Sequence, residues 1–153
     1  MRRVVLFLVL ALLPSFVSAQ TPIYRYVAKY VCGKHANPPN NFASGVYSTS
    51  INVFSLKAIQ FKKRFTVSWP QEKAGGVTPW INTGLPAMNS MQIDCDNILM
   101  HVNQANLPTP AAQATEGFVV IESTIRLDVV AVYSAGPQGG PVATLLMERV
   151  PPR

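Results

Sequence analysis

The sequence predicts an all-β protein: a single-domain antiparallel β-sandwich of about seven strands, or alternatively a small β-barrel, preceded by a signal-peptide helix. One reason is composition, because 48% of the residues are apolar, only 13% are charged, and 13 prolines and 9 glycines interrupt the chain. A second reason is a period-two alternation of apolar and polar residues, which is typical of a strand with one buried face. The third is the recurrence of turn-forming residues between short apolar segments.

Residues 1–19 have the features of a signal peptide. Two arginines follow Met1, the apolar run Val4–Leu13 comes next, and the segment ends in Val17-Ser18-Ala19, which suits a signal peptidase. The alternative is an uncleaved membrane anchor, which would need about 20 predominantly apolar residues. We therefore expect cleavage after Ala19, one domain over residues 20–153 with no membrane span, and an exported protein of the periplasm or the cell exterior.

The mature chain carries a mild positive charge. The full sequence has 13 Lys and Arg residues against 7 Asp and Glu residues. Because Arg2 and Arg3 leave with the signal peptide, 11 basic and 7 acidic residues remain, a net charge of +4. These charges form no long block, so the sequence predicts no dedicated nucleic-acid binding.

Cys32 and Cys95 are the two cysteines of the sequence. An even number of cysteines in an exported protein predicts a disulfide bond. It would close a loop of 64 residues counted inclusively, which stabilises a fold by on the order of 4 kcal/mol in the chain-entropy description. Two separate buried thiols are the alternative.

Three strands are predicted in the first half of the mature chain, at Ile23–Cys32, Gly45–Phe54 and Ile59–Trp69. The third has the clearest alternation, with a single exception on its apolar side. That exception is Lys63, whose stem we expect to lie along the edge of the core while its ammonium group reaches water. The segment Pro70–Pro86 is predicted to be a long connection.

The second half is predicted to hold four more strands. Met91–Val102 contains the second cysteine, Phe118–Tyr133 is interpreted as two consecutive strands separated by a bend, and Val142–Val150 is the last strand. Asn103–Gly117 has no pattern. We expect the two long connections, Pro70–Pro86 and Asn103–Gly117, to carry contacts with a partner.

Several blocks of the sequence resemble a group of small exported bacterial all-β proteins of uncharacterised function. The blocks are Tyr30–Gly33, Tyr47–Val53, Gly117–Ser123 and Leu127–Tyr133. The last block is also similar to the β-sandwich of sensory rhodopsin transducer proteins, which act by binding partners. This chain has Phe54-Ser55-Leu56 where the exported group would continue with a polar His-Asn-Pro-like segment. The resemblance implies a β-sandwich and supplies no catalytic residues.

A metal site is an alternative to the disulfide. Cys32 with His35 and Cys95 with His101 formally make a Cys2His2 set for zinc. On an extended strand, however, Cys95 and His101 would lie about 20 Å apart. Copper could use the soft sulfur donors nearby, which are Met88, Met91 and Met100. We expect no metal and no cofactor, and the candidates for a metal ligand are Cys95, Met100 and His101.

Paired acids are a further candidate for chemistry. Asp94 and Asp96 would share one face of a strand, where a solvated sheet edge is the simpler interpretation. Glu122 beside Ser123 is interpreted as a bend between strands rather than half of a catalytic pair. The sequence contains no nucleophile elbow, phosphate-binding loop or His-Glu-x-x-His pattern.

Aromatic and basic residues are the remaining candidates. Trp80 lies in a predicted connection, where an exposed aromatic ring can anchor an interface. Lys62 and Arg64 lie on the polar side of the third predicted strand and add positive charge. We therefore predict partner contacts at Trp80, Lys62 and Arg64.

These observations favour an exported, non-enzymatic β-sandwich that acts through protein–protein contacts in the bacterial envelope or outside the cell. The alternative is a periplasmic protein that binds a small ligand or a copper or zinc ion. A hydrolase is a third hypothesis, and it would depend on His35 or His101, the two histidines of the sequence.

Overall fold

A computed structural model describes residues 23–35, 43–70, 73–110, 113–137 and 139–153. The predicted signal peptide, residues 1–19, lies outside the described residues. Nine strands and one helix are present in the described ranges: β1 Tyr24–His35, β2 Gly45–Ser55, β3 Ile59–Ser68, β4 Ala74–Val77, β5 Ile81–Leu85, β6 Asn89–Ile93, α1 Cys95–Gln104, β7 Thr115–Ser123, β8 Asp128–Gly136 and β9 Ala143–Arg149. Every strand pairing among them is antiparallel, which confirms the predicted all-β class.

The strands form two connected sheets. In the first sheet, β3 pairs with β7 on one side and with β4 and β5 on the other, while β7 also pairs with the first part of β1. In the second sheet, β2 pairs with β8 on one side and with the end of β1 and β6 on the other, and β8 also pairs with β9. This arrangement fits the predicted sandwich and its barrel alternative.

β1 connects the two sheets by changing partners along its length. Its residues Tyr24–Cys32 pair with β7, and its last three residues, from Gly33 to His35, pair with β2. The change occurs at Gly33, whose φ of 109° is a conformation that residues with a Cβ rarely adopt. Glycine at this position therefore lets one strand contribute to both layers.

The inner faces of both sheets and one side of α1 meet in a single apolar core. Large side chains such as Tyr30, Phe65 and Ile51 are fully buried there, together with Ile98 from the helix. Burial of each such side chain stabilises the fold by about 1.5–3 kcal/mol. Along β3 every second residue from Phe61 to Val67 is buried, which confirms the predicted alternation.

Two strands lie where the sequence analysis predicted the connection Pro70–Pro86. They are β4 and β5, which have only four and five residues. The sequence does not predict them because they are short and because Gly75, Gly76 and Gly84 interrupt any alternation of apolar and polar residues. They raise the number of strands from the predicted seven to nine, since β6 takes the place of the strand predicted over Met91–Val102.

The strand predicted over Met91–Val102 is also wrong, because β6 ends at Ile93 and α1 begins at Cys95. Asp94 is the N-cap of this helix: its carboxylate accepts a hydrogen bond from the Asn97 N–H at 3.0 Å. Such caps stabilise a helix by roughly 1 kcal/mol. Asp94 is thus a capping residue, and Asp96 lies in the first helical turn rather than on a strand beside it.

Within the described ranges, no helix is long and apolar enough to cross a membrane.

Candidate functional site

The disulfide predicted between Cys32 and Cys95 is present, with an S–S distance of 2.05 Å. It links the part of β1 that leaves the first sheet to the first turn of α1. Residues 48–50 of β2 face this bond. They lie between the part of β2 that pairs with β1 and the part that pairs with β6. There the Thr49 N–H donates a hydrogen bond to Cys95 Sγ at 3.2 Å, so the disulfide also fills a gap in the ladder.

The three residues predicted as candidates for a metal ligand, Cys95, Met100 and His101, do not lie together as a ligand set. The His101 ring stacks on Phe65 with centroids 5.4 Å apart, and Met100 is an exposed side chain on α1. The sulfur of Cys95 is bonded to Cys32 and is therefore not a thiolate ligand. In the described part of the chain, no three His, Cys, Asp or Glu side chains cluster closely enough to hold a metal ion.

The three residues predicted as partner contacts do lie together. Trp80 packs against two cationic side chains of β3: Lys62 Nζ is 4.6 Å from the centroid of the ring, and Arg64 Cζ is 4.3 Å from it. Both distances are within the range of a cation–π interaction, which contributes about 0.5–1 kcal/mol at an exposed site. The predicted grouping of Trp80, Lys62 and Arg64 is therefore a real cluster on the outer face of the first sheet.

Backbone pairing explains why Trp80 reaches this cluster. β3 pairs with β5 at one end and with β4 at the other, and Thr78 fills the interval between them. The Thr78 N–H donates to the Phe65 carbonyl at 2.9 Å, and the Phe65 N–H donates to Thr78 Oγ1 at 3.0 Å. Lys62 pairs with Asn82. Trp80 is two positions before Asn82, so its side chain lies on the same face of the sheet, beside Arg64.

Glu122 is the centre of a second, adjoining cluster. It lies on β7 between Arg25 of β1 and Lys62 of β3, directly opposite both in the strand register. Arg25 Nε donates to Glu122 Oε1 at 2.7 Å, and Lys62 Nζ lies 2.9 Å from Oε2. Both carboxylate oxygens therefore have a cationic partner, although the Glu122 side chain is only 6% exposed.

The electrostatic surroundings of Glu122 keep it charged. The hydrogen bond with the Lys62 ammonium, assisted by the one from Arg25, holds the pKa of Glu122 below its ordinary value. Burial alone would raise that pKa, because desolvation disfavours a carboxylate. The partners outweigh the burial, so Glu122 is a fixed negative charge that positions Lys62 beneath Trp80.

We call this region the Trp80 surface: the outer face of the first sheet around Trp80, Lys62, Arg64, Arg25, Glu122 and Phe118. Phe118 is 41% exposed and pairs across the strands with Lys29 and Thr66. An open groove of about 430 Å³ begins at Lys62 and Glu122 and extends to Ile23 and Thr124 at the end of the sheet. The surface thus combines aromatic rings, fixed charges and a concave rim.

The role of Glu122 differs from the predicted one, because this residue lies within β7 and not in a bend between strands. A signal for the correct interpretation exists: Glu116, Phe118, Val120 and Glu122 alternate with the buried residues of β7 and therefore share its outer face. The continuous apolar run Phe118–Ile121 concealed this alternation, because Val120 on the outer face is itself apolar. The bend follows at residues 124–125, one position after β7 ends.

No protein-family model matches the chain, and no curated protein matches it. A solved structure, Thermotoga maritima 1070, is similar with a TM-score of 0.47 and 10% sequence identity, covering 84% of this chain and 90% of that chain. A likeness this distant assigns no function.

Proposed function

We propose that the chain is an exported, non-enzymatic binding protein whose Trp80 surface recognises an acidic segment of a partner protein. The observation that carries the proposal is the position of Arg64. Its guanidinium group lies over Trp80 at 4.3 Å, and within the described residues it forms no salt bridge. Arg64 Nε is buried and has no hydrogen-bond partner there.

The charge of the surrounding face supports an acidic partner. Four cationic side chains, Arg25, Lys29, Lys62 and Arg64, and two carboxylates, Glu116 and Glu122, lie on the outer face of the first sheet, which leaves a net charge of +2. Glu122 is matched by Arg25 and Lys62, and Glu116 by Lys29 at 3.0 Å. Of the two excess positive charges, one therefore belongs to Arg64, beside the aromatic ring, and the other to the adjoining group of Arg25, Lys62 and Glu122.

The arrangement is also held in place before any partner arrives. Glu122 fixes Lys62, and the hydrogen bonds between Thr78 and Phe65 fix the chain that leads to Trp80. A preformed surface loses less conformational entropy on binding than a mobile one. Tryptophan and arginine are the residue types that most often dominate the energy of protein interfaces.

The engagement of Glu122 supports binding rather than catalysis. An acid–base catalyst needs a pKa close to the working pH, whereas the Lys62 and Arg25 partners lower the pKa of Glu122 from its ordinary value. Both oxygens of this carboxylate are already occupied by cationic groups. Glu122 is therefore suited to positioning its neighbours.

The proposal of export depends on the expected signal peptide and is supported by the Cys32–Cys95 disulfide, because such bonds persist in oxidising compartments. Intact-mass measurement of the protein recovered from its native host tests it. We expect a chain that begins at Gln20 and lacks two hydrogen masses because of the disulfide. A reduced chain that retains residues 1–19 would contradict export.

Binding is tested with residues 20–153 in the oxidised form and a fluorescein-labelled peptide of alternating Glu and Ala. A peptide with Gln in place of Glu is the uncharged control. We expect fluorescence anisotropy to show binding of the Glu peptide that weakens as salt is added. Arg64→Gln should reduce the affinity about 10-fold or more, equivalent to roughly 1.4 kcal/mol.

Arg126→Gln is the matched control, because Arg126 is an exposed arginine that follows β7 and lies outside the Trp80 surface. It should leave the affinity unchanged. Equal weakening by both substitutions would show that only overall charge matters and would overturn the site. Equal binding of the Gln peptide, or tighter binding of a single-stranded oligonucleotide than of the Glu peptide, would overturn the choice of an acidic protein partner.

A further inference from the structure

β9 is an edge strand with an unusual degree of exposure. It pairs with β8 on one side, and no described strand pairs with its other side. Each of its seven residues is exposed, including Leu145 at 62%, Leu146 at 52% and Met147 at 66%. Long apolar edge strands are rare in monomers because their free backbone groups and side chains promote association.

The irregular pairing of β9 gathers its leucines beside two tyrosines. Tyr133 pairs with Leu146 and Ser134 pairs with Thr144, so Leu145 is an extra residue in the ladder. Leu145 and Leu146 both line an open groove of about 540 Å³ whose other walls include Tyr47 and Tyr133. The result is an apolar protrusion next to an apolar groove, which Lys29 and Val31 of β1 also line.

The opposite end of the sheet arrangement lacks these properties. The outermost strand there is β4, which has four residues, two of them glycine. Short edge strands are one way in which proteins limit edge-to-edge contacts. Val77 is the exposed large apolar residue of β4, at 49%. The two edges of the molecule therefore differ in their capacity for association.

We propose that β9 and its groove form a self-association surface, in which two copies lie with their β9 strands antiparallel about a two-fold axis. In such an interface the leucines of each copy enter the Tyr47–Tyr133 groove of the other. A strand edge beside a groove is self-complementary under two-fold symmetry, because each copy supplies one protrusion and one recess.

Charge and area favour a second copy as the occupant. One cation and one carboxylate, Lys29 and Glu148, line the groove, and both have partners in the same chain, Glu116 and Tyr133. The groove therefore has no excess charge that would repel an identical surface. All residues in the range 141–149 are exposed. A specific interface buries at least about 1,000 Å² in total, and two-fold symmetry doubles the area that this range and the groove supply on one copy.

Sedimentation equilibrium of residues 20–153 in the oxidised form tests the proposal. We expect a monomer–dimer equilibrium in the micromolar range, which Leu146→Glu should weaken by at least 10-fold. Val77→Glu is the matched control on the other edge strand, and it should leave the equilibrium unchanged. Circular dichroism of each variant checks that it folds, and Leu145→Ser is a milder second variant for the same surface.

Three results would overturn self-association through β9. One is a chain that stays monomeric at hundreds of micromolar. Another is a dimer that Leu146→Glu and Leu145→Ser leave intact. The third is a dimer that Val77→Glu weakens as much as Leu146→Glu does. Because Arg64 belongs neither to β9 nor to the lining of the groove, Arg64→Gln should not change the dimer, and the two proposals can fail separately.

Discussion

Lys63 and Glu122 are two buried charged side chains of the first sheet whose surroundings differ completely. They lie on neighbouring paired strands, where Lys62 is opposite Glu122 and Lys63 is opposite Ile121. Glu122 faces outward and has two cationic partners. Lys63 faces the core, is 9% exposed, and has Met91 Sδ at 3.9 Å as the polar neighbour of its ammonium group.

The difference shows which buried charge supports the fold and which opposes it. Partners lower the pKa of Glu122 by favouring its charged form, whereas burial lowers the pKa of Lys63 by disfavouring its charged form. Within the described residues no carboxylate lies within salt-bridge distance of Lys63. On the outer face, ion pairs with Glu122 therefore stabilise the fold. On the inner face, the buried charge of Lys63 destabilises it.

Removing the partnered charge should have the largest effect. Glu122→Gln leaves Arg25 and Lys62 side by side without a carboxylate, so we expect a loss of about 2–3 kcal/mol in the free energy of unfolding at pH 7. Urea denaturation measures it. Glu116→Gln is the control, because Glu116 is more exposed and, among the described residues, forms a salt bridge with Lys29 only. Its loss should stay below about 1 kcal/mol. Equal losses would contradict the special position of Glu122.

The stability lost in Glu122→Gln should depend on pH. Because the folded-state pKa of Glu122 is below the ordinary value of 4.5, its contribution is present above that pH and disappears as pH falls through the folded-state pKa. We therefore expect the stabilities of the native protein and the variant to converge as the pH falls below 4.5. Urea titrations across this range check the sign. A gap that widens toward acid would contradict it.

Removing the unpartnered charge should have a smaller effect of the opposite sign. Lys63→Met keeps the length of the stem and removes a desolvated ammonium group, so we expect a gain of about 1–2 kcal/mol at pH 7. The native protein should recover part of this difference as pH rises through the lowered pKa of Lys63 toward 10.5, since neutral lysine is no longer penalised. Thermal unfolding at several pH values measures both effects. A variant that is less stable at pH 7 would show that Lys63 has a stabilising partner.

The smallest effect on stability is expected at Arg64. Arg64→Met keeps apolar contact with Trp80 and loses a cation–π interaction, so the free energy of unfolding should change by less than about 1 kcal/mol. The same substitution should weaken binding of the acidic peptide as strongly as Arg64→Gln does. A large loss of stability in urea denaturation would show that Arg64 belongs to the structural charge network with Glu122.

The sequence is sufficient to predict a strand and its two faces where burial imposes a regular alternation on a long strand. The alternation along β3 predicted its inner and outer faces, and it therefore placed Lys62 and Arg64 on one side together. The cysteines were also predictable, because an expected oxidising compartment makes their pairing the default.

The missed elements have local physical reasons. β4 and β5 are too short to show an alternation of apolar residues. Between them, the hydroxyl of Thr78 accepts a hydrogen bond from the Phe65 N–H of β3, a contact that no pattern of hydrophobicity reports. The helix could have been recognised from the Asp94 cap and the spacing of Ile98 and Val102, which are four residues apart on its buried side. The contact of Glu122 with Arg25 joins residues 97 positions apart, and only the strand order brings them together.

The fluorescence of Trp80 itself reports whether the Trp80 surface binds an acidic partner segment. The sequence has two tryptophans, so Trp69→Phe leaves Trp80 as the single reporter. Titration of this variant with the unlabelled Glu-Ala peptide should shift or quench the emission with the same midpoint as the anisotropy measurement. Adding Arg64→Gln should move that midpoint about 10-fold higher. A peptide that binds while the emission of Trp80 stays constant would place the binding site elsewhere and contradict a role for the Trp80 surface.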